Sequence, residues 1–342
     1  MNGTAMLNRV RTSFLTDSKE EYLWSQQELV DHLNSALIEM VGEAHLIRDI
    51  FTKPLVEIPL IKDGSLFSAG TNTGTIQITT PIVFDLGGVV RTLPAADNIA
   101  LPTLATQPEN TSCRYVILAK SDLTVYAAKG EDVADLTTVR YPIIPSGYCP
   151  IALLDVTVGD GQDWRMGVDS LGDNSTLYTF ESASSLIPTD NRVVELTYAK
   201  ASYQYSSLTK KSEEYITSRY PTWYETEGNP SVYHFDTNTK QIMLNCIPES
   251  PGILRTHVYR LPLSSYTLDN LSMFPEAPEE VHEGLIDGVL YLAYSKQDAE
   301  TEDLVRAEKH RARFKEWIEK AKRFRLRSSY VSDTYGVHPG AL

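Results

Sequence analysis

The sequence predicts an α+β chain: N- and C-terminal helices packed as a helical bundle, a short antiparallel β-hairpin unit, and an inserted all-β, sandwich-like domain. Three observations predict it. Apolar residues recur at helical spacing near both ends. Between them the period drops to two, with Pro and Gly recurring between short β-rich runs. Finally, neither terminal pair of helices can bury its apolar stripe alone. Packing the two pairs together, with the β part leaving from the middle, solves that economically.

The first element is helical: Leu7, Val10, Phe14 and Leu15 in "LNRVRTSFL" share a helical spacing. After the polar break "DSKEEYLW", Ser25 stands three residues before Glu28, the spacing of a capping box. Leu29, Leu33, Ala36, Leu37, Met40, Val41 and Ala44 then form one stripe, and Gly42 and Pro54 bracket its end.

From Pro54 the texture is β. "GTIQITTPIVFDL" alternates, "RYVILAKSDLTVYAAKGED" reads as two strands around Ser121-Asp122, and "YPIIPSGYCPIALLDVTVGDG" adds another before a Gly-Asp-Gly turn. The β domain is expected between about Pro54 and Pro188. "NRVVELTYAKASYQYSS" fits helix by spacing and strand by composition, and Tyr215 to Tyr220 suits a short helix ended by Pro221. In "KQIMLNCIPESPGILRTHVYRLP", two alternating runs flank the turn "PESPG", and "PSVYHFD" is their expected third strand.

The last helices begin at Pro278, with Glu279, Glu280 and Glu283 at the positive end of the dipole. Leu285, Ile286, Val289, Leu290, Leu292 and Ala293 form a buried face. After "SKQDAETED", the second helix carries Leu304, Ala307, Phe314, Ile318 and Ala321 inward. It is also strongly basic from Arg306 to Arg327. The closing "SSYVSDTYGVHPGAL" has no period and is expected to be an extended tail that orders on contact.

The chain has 342 residues and a net charge of -14, which keeps a protein soluble and repels nucleic acid. There is no apolar run of membrane-spanning length, and the start lacks the apolar core of a secretory signal. Cys113, Cys149 and Cys246 are far apart and read as reduced core residues. Nucleotide loops, H-E-x-x-H and G-x-S-x-G are missing from the sequence. His234 and His257, with Asp236 and Cys246, would make a metal site or a Cys/His pair only if their strands paired. "EEVHEG" at Glu279 to Gly284 offers one His and no second ligand. Trp223, Tyr224, Tyr233 and Phe235 suit core or subunit contacts better than stacking on sugars or bases, because no basic groove accompanies them. No catalytic residue, metal or cofactor is expected.

Three stretches together resemble the head-to-tail adaptor (connector) proteins of tailed bacteriophages, in a podophage-like form. They are "WSQQELVDHLNSALIEM", the Trp, Gly-x-Pro, Tyr, "I-x-L-x-x-x-P" pattern within "PTWYETEGNPSVYHFDTNTKQIMLNCIPESPGILRTHVYRLP", and the closing helix pair from "FPEAPEEVHEGLIDGVLYLAYSK" to "KAKR". Each motif is weak alone; their order and spacing carry the likeness. The resemblance implies an adaptor core of residues 1–53 and 189–327, an inserted domain of 54–188 without a family motif, and a tail of 328–342. It implies a structural virion protein made in the host bacterial cytoplasm, and not an enzyme. Its copies would form a ring, commonly twelvefold, under the portal protein. The ring would extend the DNA channel without sequence-specific binding and carry the tail tube or nozzle, with fibre or collar proteins on the inserted domain. Lys320, Arg323, Arg327, Tyr330, Val331 and Tyr335 are the expected portal or subunit contacts. On the residues alone two other classes stay open: a carbohydrate-binding or fibre-associated tail protein, and a β-rich hydrolase.

Overall fold

A computed structural model describes residues 1–15, 23–135, 140–173, 176–296 and 303–333, without the side chains of 326–333. The chain is α+β. Its helices are α1 (Gly3–Arg9), α2 (Gln26–Ala44), α3 (Lys53–Val56), α4 (Glu213–Arg219), α5 (His282–Tyr294) and α6 (Leu304–Asp333). Two compact units emerge: residues 1–48 with 259–342, and residues 49–258.

The first unit is helical. α1 continues as a π-helical segment, Val10–Leu15. α2 starts at the expected capping box: the Glu28 amide donates to Ser25 Oγ at 3.1 Å, and the Ser25 amide donates to Glu28 Oε2 at 2.7 Å. It ends at His45, whose left-handed backbone lets its N–H reach Val41 O. Leu29, Leu33 and Met40 of α2, Leu285 and Leu290 of α5, and Phe314 and Ile318 of α6 share one core with Met6 and Leu7 of α1. The approach to α5 is close because Gly284 and Gly288 lie one turn apart on it. A Cβ on Gly288 would stand 2.7 Å from the Ala36 Cβ and 2.9 Å from the Phe314 ring. α6 runs through Asp333, so 328–333, expected to be extended, are helical. Adding residues to an existing helix avoids the nucleation cost, so even "SSYVSD" can follow a long helix. Residues 334–342 lie outside the described residues.

The second unit is β-rich. Two long strands, Ser112–Lys120 and Tyr148–Thr157, pair antiparallel at the centre of a four-stranded sheet, between Val125–Lys129 and Leu177–Phe180. These central strands are buried on both faces. Because side chains alternate across a strand, Tyr115 and Ile117 enter one core, with Phe84, Leu154 and Trp164. Val116 and Leu118 enter another, with Ile58, Val193, Tyr233, Phe235, Ile242 and Leu254. That shared wall is why 189–258, grouped with the terminal helices on sequence, lies in the same compact unit as the β strands before it.

The ambiguous stretch after Asn191 is a strand, Val193–Ala201, whose buried Val193, Leu196, Ala199 and Ala201 join the second of these cores. Val232–Asp236 and Gln241–Leu244 form the antiparallel hairpin, pairing Tyr233 with Leu244 and Phe235 with Ile242. Gly252–Arg260, expected to pair with Gln241–Leu244 across the turn, goes elsewhere: it pairs with Glu57–Leu60 and neighbours Val193–Ala201. Pro248 and Pro251 flank the turn and have no N–H to give a ladder, so the chain leaves the hairpin sheet there. "WYETEGNPSVYHFD" is therefore divided in role. Tyr233 and Phe235 are core, while Trp223 and Tyr224 stand edge to face at 5.6 Å in an outer turn, with Tyr224 exposed.

Candidate functional site

α6 has two faces of different chemistry. Ala307, His310, Phe314, Ile318 and Ala321 are buried. His310 is held by Asp287 of α5, with Nδ1 2.8 Å from Oδ1, and stacks on Tyr294 at 5.9 Å. That polar pair in the core lies 23 residues apart in sequence. Its only advance signal is a His at an inward position of the stripe.

The outward face of α6 is basic, and its charges are only partly engaged. Arg306 pairs with Asp303 at 3.2 Å and Arg311 reaches Glu308 at 4.0 Å. Lys322 bridges Glu319 at 2.9 Å and Glu43 of α2 at 3.5 Å, which raises its pKa. Lys320 sits 4.2 Å above the Trp317 ring, and Arg325 4.6 Å from that of Tyr259. Lys309, Arg313 and Arg323 are exposed and form no ion pair among the described residues. Phe324, beside them, is 46% exposed.

Of the expected contact residues, Lys320 and Arg323 are thus brought onto one exposed surface. Arg327, Tyr330 and Val331 fall on the α6 backbone, with side chains outside the described residues. Tyr335 lies outside the described residues altogether.

The second unit holds the buried charges. Arg114 donates to both oxygens of Asp155, at 2.7 and 2.6 Å, and its guanidinium lies 5.5 Å from the Tyr141 ring centre. Glu181 joins them at a pocket of about 100 Å³. Burial, then the neighbouring Asp155 carboxylate, raises its pKa. There the Arg114 guanidinium offsets the buried Asp155 carboxylate. A broader cleft of about 560 Å³ holds Glu57 between Lys53 and Arg255, each 3.9 Å away.

Burial lifts the Cys113 and Cys149 thiols to about 12 and that of Cys246 to about 11, far from a reactive thiolate. His234 and His257 are not partners. His234 Nδ1 donates to Lys211 O at 3.1 Å, while His257 stacks on Tyr198 at 4.5 Å in a different sheet. The strand carrying His257 left the hairpin at the two prolines, and the proposed constellation left with it. Among the described residues no three His, Cys, Asp or Glu side chains gather as a metal site. No helix among them is long and apolar enough to cross a membrane.

Residues 170–334, just under half of the chain, match the family model described as the SU10 adaptor protein. The matched stretch contains the Val232–Leu244 hairpin, α5 and α6. α1 and α2, which complete the core around α5 and α6, precede it. No curated protein matches the chain. The family match suggests a structural adaptor of a phage virion.

Proposed function

We propose that this protein is a head-to-tail adaptor of a tailed, podophage-like virion. Its copies form a ring, twelvefold by the resemblance, beneath the portal protein. They extend the DNA channel and attach the tail nozzle or tail tube. One observation carries the reading: the stretch that matches the adaptor family is also the stretch that builds α5 and α6 and presents the exposed basic face.

Physical chemistry supports a structural role. A channel wall must let a polyanion slide, and a chain of net charge -14 repels it. The buried thiols and the neutralised Arg114–Asp155 pair suit scaffold better than turnover. We assign the inserted β part, expected at 54–188, to the outer surface, where it meets a fibre or collar protein. A body of that size on the inside would obstruct DNA. The tail beyond residue 327 is assigned to the portal.

Co-sedimentation of the purified chain with portal particles tests the reading. A stable complex that protects packaged DNA from nuclease supports it. An unbound chain that instead binds glycans on an array, or releases sugar from host envelope, would replace it.

A further inference from the structure

The exposed surface of the helical unit is divided by charge. Between Arg306 and Arg327, α6 carries ten Lys/Arg and three Glu, in a chain of net charge -14. Lys322 reaches Glu43, so that flank of α6 faces α2. Lys320 and Phe324 each stand two residues from Lys322, about 200° round the helix, and so point away from α2. Arg323 and Phe324 complete this outer patch, an exposed apolar ring set among cations.

The outer face of α2 has the complementary composition. Asp31, Ser35, Ile38 and Glu39 are exposed there, Ile38 at 46%, the same fraction as Phe324. Asp31 accepts from Gln27 Nε2 at 2.8 Å, and Glu39 forms no ion pair among the described residues. Each patch thus has one apolar centre with charges of a single sign around it, the composition of a small interface core with a polar rim. They lie on different helices, α2 and α6, and within one copy no hydrogen bond or ion pair joins them among the described residues. Two copies can join them, and the contact is head to tail, the kind that propagates into a closed ring.

We propose that the Lys320–Arg323–Phe324 patch of one copy docks on the Asp31–Ile38–Glu39 patch of the next, and that this is the subunit interface of the ring. The inference rests on the adaptor reading. It assigns Lys320 and Arg323 to a second copy of this chain and neither to the portal nor to DNA.

The test mixes two single variants of the full chain, Ile38→Cys and Phe324→Cys, under mild oxidation. Both positions are exposed, whereas the native cysteines are buried and stay silent. The mixed pair should cross-link at least tenfold more than either variant with itself. Adding Lys320→Glu and Arg323→Glu to the Phe324→Cys chain should lower that yield by roughly tenfold, as should high salt. Restoring it by Asp31→Lys with Glu39→Lys on the other chain would identify the pairing directly. Mass photometry of the parent protein supplies the separate readout. A parent that forms rings without preferential cross-linking overturns this interface and leaves the adaptor reading standing. A parent that stays monomeric even when incubated with portal particles, and does not cross-link there, overturns both. Duplex DNA binding that the Lys320→Glu, Arg323→Glu variant loses, again without cross-linking, assigns the patch to phosphates and overturns the proposal.

Discussion

Gly288 sits where α5 approaches α2 and α6, and the substitution Gly288→Ala separates two opposing effects. Removing a helix-interior glycine should stabilise by about 1 kcal/mol through backbone entropy. The new Cβ, however, would lie 2.7 Å from the Ala36 Cβ and 2.9 Å from the Phe314 ring. The Ala36 methyl is fixed to its backbone and cannot swing aside, so the helices must part. Overpacking of this kind costs ~1–3 kcal/mol. Sterics outweigh propensity, and a net loss of about 1 kcal/mol is expected. The assay is urea unfolding followed by circular dichroism at 222 nm, which is dominated by α2, α5 and α6. With an m-value of ~1–3 kcal/mol/M, the midpoint should fall by roughly 0.3–1 M. The pair Ala36→Gly with Gly288→Ala exchanges the two side chains, so the double variant should recover at least ~1 kcal/mol relative to additivity. Stabilisation by Gly288→Ala, or strict additivity in the cycle, would refute the close-approach reasoning.

Three further outcomes follow from the same geometry. Arg114→Met leaves Asp155 buried at 5% side-chain exposure without its cation, and should cost ~3–5 kcal/mol in thermal unfolding of the β unit; the Arg114→Met, Asp155→Leu pair should cost much less. Glu28 is held down to about 2, first by its hydrogen bond with Lys296 and then by the Ser25 amide. Its contribution is present above the ordinary carboxylate range and lost as pH falls towards 2; Glu28→Gln should flatten that acid limb, and Ser25→Ala should cost ~1 kcal/mol at neutral pH. Glu181 has the opposite sign: its raised pKa means stability falls as pH rises through its titration, so Glu181→Gln should stabilise the chain at neutral pH and leave it unchanged in acid, read by melting temperature at both pH values.

The parts legible in the sequence are those written in local pattern. The Ser25–Glu28 box and the stripe behind it set α2, because both depend on residues within one or two turns. The strands on either side of Ser121-Asp122 follow from two β-rich runs and the turn between them. Pairing between distant strands leaves no such trace. Gly252–Arg260 alternates well enough to be read as a strand, yet nothing in it names Glu57–Leu60 as its partner. That one pairing, with the two-faced burial of Ser112–Lys120, moves 189–258 into the β unit. At the candidate site the basic run of α6 is obvious in the sequence. Its division into cations tied to Glu43, Asp303 and Glu308 and cations left on the surface depends on which flank of α6 faces α2. Neither Arg114–Asp155, 41 residues apart, nor His310–Asp287, 23 apart, has a local signature.

The adaptor reading stands or falls on assembly, and electron microscopy of the purified chain incubated with its portal protein tests that most directly. Closed rings seated on one end of the portal, with a mass near twelve times 38.3 kDa per ring and the β unit on the outside, are expected. Portal particles with bare ends beside free monomers of the chain would contradict it.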